Sequence, residues 1–595
     1  MPEKKAVGGR FLFVGGMFAC GSAHNIPKEP ISFRESVLAL YKRMIGVYCC
    51  MAVLLTVCLF RVYAINVSDS LTMAADVQSR QALVVSTTRG TIYDRSMVPL
   101  VNSSSKYIAS VLPTPQAAGV LLPALEEKQR PAVLNMLTAG SPFALEVPTN
   151  DLYALGVDVF RVSQRYSQNP QLAPHIIGYL NGQEQTGAAG IEKAFDSLLK
   201  KSGGQIVARY QVDAMGRSME NGAVQIDRSG ENDRGGVVLT LDASMQAATQ
   251  SALEKGCEKG AVVVMDIGTG DILAMASVPD FDPGNIAASL ESKDAPFINR
   301  AISGYNIGSV FKVIVSAAAL ENGITPDFSY TCQGSIDVDG QVFRCNNHAI
   351  HGTVDMERAL EVSCNTYFIN LALTLGPDYI PALSSYMGLG SASELAEGFT
   401  TQSGNLPTRQ ELSNRASLAN FGFGQGSSLA TPLQMAQAIS AIANSGMAVT
   451  PRLVMGETED GSSLSVSYPS YSPNRILSEN TAKTVQGLMV KVIEEGSGRK
   501  ARPITGGAGG KTSSAQTGIY DENGKEIVHA WFAGFFPAAK PKYAAVVFVE
   551  GGESGENAAG PIFKQVADGI IGLDLAAGSS KTLGLSSAEK TVPIP

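Results

Sequence analysis

Seventeen consecutive residues, 44–60, carry no charge and read MIGVYCCMAVLLTVCLF between Arg43 and Arg61. As a helix this run spans about 26 Å at ~1.5 Å per residue. Extension through position 65, with Arg61 snorkelling outward, brings it to the ~30 Å of a hydrocarbon core. A transmembrane helix over residues 44–65 is therefore expected, with a buried core helix as the alternative. Seven basic residues precede it (Lys4, Lys5, Arg10, Lys28, Arg34, Lys42 and Arg43), and none lies between positions 62 and 79. That asymmetry predicts a cytoplasmic segment over residues 1–43, with everything after about 66 outside the cytoplasm. Residues 11–23 are also apolar, but they are short and glycine-interrupted for a signal peptide.

The body that follows is acidic. The chain holds 46 Lys+Arg against 54 Asp+Glu, for a net charge of −8, which argues against a nucleic-acid binder. Of eight cysteines, Cys20, Cys49, Cys50 and Cys58 precede residue 60, and Cys257, Cys332, Cys345 and Cys364 lie far downstream. That density is too low for a disulfide framework to hold the fold.

Residues 67–235 show short β-like runs (ALVVS, IASVL, GVDVF, IVARY) broken by Gly, Pro and Asn, which predicts an elongated, β-rich module. Near 236 the texture changes. AVVVMDIGTGDILAMAS reads as a β-hairpin, a helix-rich middle follows, and HAWFAGFFP and YAAVVFVEG read as neighbouring strands of one sheet. The order strands–helices–strands predicts an α+β domain over residues 236–575, and residues 576–595 read as a polar, unstructured tail.

Three short motifs carry the chemistry. Ser309 and Lys312 open the helical stretch SVFKVIVSAAALENG, three residues apart and so on one face. A serine hydroxyl is a poor nucleophile unaided, and a neutral lysine amine one turn away can take its proton. Ser363-Cys364-Asn365 lies between two helix-like segments, and Lys511-Thr512-Ser513-Ser514 follows the glycine run GGAGG. His24 and His175 lie far from these motifs, and His529 and Trp531 sit on a predicted strand after the third. Packing on the sheet rim and substrate binding are equal readings for those two. No Ser–His–Asp triad is in view, which again points to Lys312 as the base.

Order and spacing together make this set specific. The sequence resembles a class B penicillin-binding protein, a membrane-anchored peptidoglycan D,D-transpeptidase with S-x-x-K, S-x-N and K-T-G elements. The resemblance covers nearly all of the chain after residue 80. Arg89-Gly90-Thr91-Ile92-Tyr93-Asp94-Arg95, His175-Ile176-Ile177-Gly178-Tyr179, Gly190-Ile191-Glu192 and Asp213-Ala214-Met215-Gly216-Arg217 resemble motifs of the family's pedestal. Leu239-Thr240-Leu241-Asp242, Gly424-Gln425-Gly426 and Thr431-Pro432-Leu433-Gln434 resemble motifs of its catalytic part. The implied fold is α+β: a penicillin-binding, serine β-lactamase-like transpeptidase domain preceded by a transmembrane helix and a β-rich pedestal or dimerisation-type domain.

The resemblance also implies roles. Ser309 would attack the carbonyl between the two terminal D-Ala residues of a stem peptide, with Lys312 as general base, kept neutral by burial and by a nearby Lys511 cation. Ser363 would relay a proton to the leaving D-Ala amine, and Asn365 would hold the peptide amide. Thr512 and Ser514 would bind the terminal carboxylate, with backbone N–H groups of Ser309 and Ser514 as the oxyanion hole. An amine from a neighbouring stem would then resolve the acyl-enzyme, and β-lactams would stall there. The partners implied are stem peptides, β-lactams and a SEDS-family glycosyltransferase in the bacterial cell membrane. Catalysis would need no cofactor.

Two departures stand out. Ser513 replaces the usual Gly, on the face it shares with Lys511 by strand alternation, which puts an added side chain where it can crowd the substrate. Ile307-Gly308 replaces Pro-Gly before the nucleophile. A β-lactamase or D,D-carboxypeptidase of the same fold, and a non-catalytic scaffold or β-lactam sensor, are the competing functions. GGAGGKT is no phosphate loop, because position 505, where the Walker pattern needs Gly, is Thr.

Cys332, Cys345, His348 and His351 fall within twenty residues and are a candidate structural zinc site, with His351, Asp337 or Asp339 as fourth ligand. A Cys332–Cys345 disulfide and free thiols are the other readings. Cys364, inside the second motif, is expected to be a packed small residue.

Overall fold

The computed structural model describes residues 33–67, 80–166, 170–182, 185–213, 215, 224–228 and 234–582. Cys20, His24, most of the segment 1–43, most of the 213–217 motif and the end of the tail lie outside the described residues. The chain divides into two units, 1–80 and 81–595.

In the first unit a single helix, α1, runs Phe33–Val67. Its part Leu38–Val67 is long and apolar enough to cross a membrane. Leu54, Leu55, Phe60 and their neighbours are exposed within the unit, as lipid-facing side chains would be. The helix starts earlier than position 44 because the charged turn around Lys42 and Arg43 is itself compatible with helix.

In the second unit, the β-rich N-terminal part holds two three-stranded sheets. One orders Arg80–Thr87, Gln205–Gln211 and Gln225–Asp227, and the other orders Phe143–Val147, Ser104–Val111 and Val157–Gln164. The arginine-rich motif after the first strand is a structural clamp. Arg89 pairs with Glu192 at 3.3 Å and with Asp196 at 2.9 Å, and Arg165 pairs with Glu192 at 2.6 Å. Asp94 takes the backbone N–H groups of Ser96 and Val98, and its second oxygen takes that of Ala243. Ala243 opens the helix α2 (Ala243–Gly256), which Asp242 caps by accepting from Ser244 and Met245. The carboxylate at a helix start satisfies otherwise unpartnered N–H groups. The Thr91–Tyr93 strand also pairs in parallel with Gly236–Leu239, joining the chain on either side of residue 236.

The centre is a five-stranded antiparallel sheet made of β1 (Gly260–Asp266), β2 (Ile272–Val278), β3 (Gly509–Tyr520), β4 (Glu526–Phe536) and β5 (Tyr543–Val549). Its spatial order is β2-β1-β5-β4-β3. Alternate residues enter two different cores. Val263, Val546, Phe548 and Trp531 face one, while Val262, Val547 and Phe532 face the other. Both faces are therefore covered, which is why these strands read as continuous apolar runs. The first face shares its core with α3 (Lys312–Glu321), α4 (Asn365–Leu375), α5 (Pro432–Ala443) and α6 (Glu479–Glu494), of which α5 and α6 lie against the strands. The second packs on α2 and on α7 (Gly560–Thr582). The last helix runs past 576, where an unstructured tail is expected. The packed part of the helix supplies the nucleus, and propagation carries it on through Ala576 and Ala577 despite the weak helix formers that follow.

Candidate active site

The three motifs meet where the edge strand β3 passes the start of α3. Ser309 lies in the tight turn Gly308–Phe311, one turn before Lys312 begins the α-helix. Three contacts hold the nucleophile segment. Gly308 N–H donates to Gly424 O at 2.8 Å, Trp531 Nε1 donates to Asn306 O at 2.9 Å, and Ser513 Oγ donates to Ile307 O at 3.0 Å. Gly308 and Gly424 have positive φ (63° and 82°) and press together so closely that a Cβ on Gly424 would sit 2.0 Å from Gly308 O. The Gly424–Gly426 motif is therefore a packing requirement of the nucleophile turn.

Lys312 is fully buried, and its Nζ donates to Ser363 O at 2.8 Å, Ser363 Oγ at 3.1 Å and Asn365 Oδ1 at 2.6 Å. No carboxylate stands among these partners. Burial pushes the Lys312 ammonium down to about 7, while the thiols of Cys364 and Cys345 pull the other way. Lys511, also fully buried, is held well below the usual lysine range, first by burial and then by the charge of Lys312. Burial thus leads for both lysines, and the electrostatic push runs from Lys312 onto Lys511.

Asn365 opens α4, and its Nδ2 donates to Arg344 O at 3.0 Å. Ser363 adopts φ 56°, a left-handed conformation that costs a non-glycine residue about 1–3 kcal/mol and is typical of functional sites. Among the described residues Ser309 Oγ makes no hydrogen bond, so the hydroxyl is free to meet a carbonyl carbon.

On β3, Lys511 Nζ donates to Thr512 O at 3.0 Å, and Thr512 Oγ1 lies 3.0 Å from Ser497 Oγ. Ser514 is exposed, and its hydroxyl accepts from Gly555 N–H at 3.3 Å. Ser513 shares the Lys511 face, as alternation predicts, but its hydroxyl is turned onto the Ile307 carbonyl and is 2 % exposed. It fills the space beside Gly308 rather than the open groove. Ser497 belongs to no motif, and only the fold brings it to Thr512. Trp531 is a packing residue. His529 stacks edge-on against Tyr305 and Phe548, and Gly551 N–H donates to its Nδ1 at 3.3 Å. His175 is buried against Pro296 O, with burial pushing its pKa down to about 4.

Of the predicted metal ligands, Cys332, Cys345 and His351 converge, and the fourth member is Cys364. His348 is exposed and stands outside the group. Asp337 and Asp339 are exposed on a hairpin, one capping Gly340 N–H and the other pairing with Arg415 at 3.4 Å. Cys364 is fully buried in the apolar core, as expected, and its sulfur also lies 3.8 Å from that of Cys345.

The penicillin-binding protein transpeptidase domain model matches residues 260–568. The chain belongs to the class B penicillin-binding proteins. It is 31% identical over 440 residues to the peptidoglycan D,D-transpeptidase PbpA of Mycolicibacterium smegmatis, covering 70% of this chain and 85% of that one. The D,D-transpeptidase domain of a peptidoglycan glycosyltransferase from Eggerthella lenta superposes with a TM-score of 0.59 at 25% identity, covering 82% of this chain and 99% of that one. A ceftriaxone acyl-enzyme complex of penicillin-binding protein A from M. tuberculosis gives 0.57 at 26% identity, covering 69% and 93%.

Proposed function

We propose that this penicillin-binding protein is a peptidoglycan D,D-transpeptidase working through a Ser309 acyl-enzyme. The observation that carries the assignment is the Lys312 amine. It is buried without a carboxylate, tied to Ser363 and Asn365, and sits one turn from a serine that makes no hydrogen bond of its own among the described residues. With its pKa lowered to about 7, a large share of this amine is neutral near pH 7 and can act as a base.

In this mechanism Ser309 Oγ forms a bond to the carbonyl carbon of the penultimate D-Ala, and Lys312 Nζ takes the hydroxyl proton. Backbone N–H groups of Ser309 and Ser514 stabilise the oxyanion. The C–N bond breaks, and Ser363, bonded to Lys312, passes the proton to the departing D-Ala amine. The amine of a second stem then attacks the ester, returns its proton through the same groups, and releases Ser309. Asn365 orients the stem peptide, while Thr512 and Ser514 on the edge strand take the terminal carboxylate, with Lys511 setting the local charge. A β-lactam follows the same first step and stays attached.

The proposed organisation is a cytoplasmic segment to 43, the anchor at 44–65, a pedestal over 67–235 and the transpeptidase domain over 236–575, outside the cytoplasm. The basic residues before α1, and their absence over 62–79, support this orientation. Anchor and pedestal are the surfaces proposed to meet a SEDS-family glycosyltransferase that supplies the glycan strand.

Intact mass of the full chain in detergent, with and without penicillin, tests the assignment. A stable penicilloyl adduct absent from Ser309→Ala is expected. The absence of an adduct would favour a scaffold, and an adduct that clears within seconds would favour a β-lactamase.

A further inference from the structure

Four side chains that the reaction does not use converge beside the second motif. Cys332 ends the strand Tyr330–Cys332, Cys345 follows the hairpin strand Gln341–Arg344, His351 precedes the strand Gly352–Val354, and Cys364 stands immediately before α4. The three cysteines are buried. Their ligating atoms all lie within 4.8 Å of one another. Cys332 Sγ is 3.7 Å from Cys345 Sγ and 3.4 Å from His351 Nδ1, and Cys345 Sγ is 3.8 Å from Cys364 Sγ.

A tetrahedral zinc ion with Zn–S bonds of ~2.3 Å and a Zn–N bond of ~2.0 Å sets its sulfurs ~3.8 Å apart and sulfur from nitrogen ~3.5 Å. The three separations above match those values, and the other three lie within 4.8 Å. A disulfide needs its sulfurs at ~2.05 Å and would use only two of the three thiols. The surroundings also suit thiolates. Gly334 N–H points at Cys332 Sγ at 3.4 Å, and Thr366 Oγ1 lies 3.4 Å from Cys364 Sγ and 3.8 Å from Cys345 Sγ. Such donors orient metal-bound sulfur and offset its charge.

We propose that Cys332, Cys345, Cys364 and His351 bind one zinc ion in a closed, four-ligand site whose role is positional. Two of its ligands adjoin the catalytic groups. Cys364 lies between Ser363 and Asn365, and Cys345 follows Arg344, whose carbonyl accepts from Asn365 Nδ2. The ion fixes the strained Ser363 backbone and the hairpin edge against α4, and so holds the three acceptors around Lys312 in place. All four sites are filled by protein, which leaves no open position for Lewis-acid chemistry.

Metal analysis of the full chain, purified in detergent without chelator, tests this directly. About one zinc per chain is expected for a closed site, in the wild type and equally in Ser309→Ala and Cys257→Ser. Retention in Ser309→Ala separates the metal site from the acyl-enzyme assignment. Cys345→Ser is expected to lose the ion, and His351→Cys, which offers four thiolates, to keep it. Cobalt exchanged into the wild type should show the intense visible bands of tetrahedral thiolate coordination, and its removal should slow penicillin acylation by at least ~10-fold, the usual cost of a lost supporting contact at a metal site. Metal-free wild type with a Cys332–Cys345 disulfide on peptide mapping would overturn the proposal. So would metal-free wild type in which Cys332, Cys345 and Cys364 all alkylate.

Discussion

Arg89 and Glu192 lie as deep in the molecule as Lys312 and Lys511, yet the two groups meet burial differently. Around Arg89 the charges alternate in sign. Its guanidinium reaches both Glu192 and Asp196, and Arg165 returns to Glu192 from the other side. The Lys312 amine has no carboxylate beside it: its hydrogen-bond partners are neutral oxygens, and its own charge pushes Lys511 down. A buried pair of opposite charges stays charged and acts as a clamp. A buried amine with no opposite charge to hold its proton gives that proton up more readily and becomes reactive. The same desolvation penalty thus builds a strut in one region and a base in the other.

Three substitutions separate the two behaviours. The largest effect is expected for Lys312→Met, which should slow penicillin acylation by ~10³-fold or more, as loss of a general base does. Its thermal midpoint should hold or rise, because an unpaired buried amine is removed. Intact-mass time courses and thermal unfolding read the two quantities. Glu192→Gln reverses the pattern. Leaving Arg89 and Arg165 uncompensated should cost about 3–5 kcal/mol in urea unfolding, with the acylation rate of the folded protein within ~2-fold of wild type. Equal losses of stability in both variants would break the distinction. The smallest effect is expected for Ser513→Gly. It deletes the bond to the Ile307 carbonyl and should lower stability by about 1 kcal/mol, with acylation changed by less than ~10-fold. A large gain in acylation would show that the Ser513 side chain obstructs substrate after all.

Much of this was legible in the chain because the chemistry restricts it. A serine nucleophile with a lysine base needs both on one helical face, so spacing paired Ser309 with Lys312, and the two later motifs in order made the pair specific. Strands covered on both faces read as unbroken apolar runs, and β1, β2, β4 and β5 were visible for that reason. Motifs such as Asp242 and Thr431-Pro432-Leu433-Gln434 carried a recognisable pattern, but their meaning is structural. Asp242 caps α2, while Thr431 and Gln434 form the reciprocal cap of α5. What stayed hidden depends on distances between segments. A cysteine packed in a core and a cysteine bound to a metal have the same local sequence, so Cys364 could be joined to Cys345 only through the fold. Alternation placed Ser513 on the Lys511 face, but only the Ile307 carbonyl opposite decides where its hydroxyl turns. The end of α7 at Thr582 was missed because Gly and Ser weaken a helix without marking its stop.

The central claim is that Lys312 is the base because burial leaves it neutral, and the pH dependence of penicillin acylation measures this. An ordinary lysine titrates at 10.5, and burial lowers Lys312 to about 7. The reactive neutral form therefore grows as pH rises, and the second-order acylation rate should climb through about pH 7 and level off above it. The same profile should be flat in Lys312→Met. A wild-type rate that keeps rising until about pH 10, where an ordinary lysine titrates, would contradict the account, as would a profile with no inflection at all.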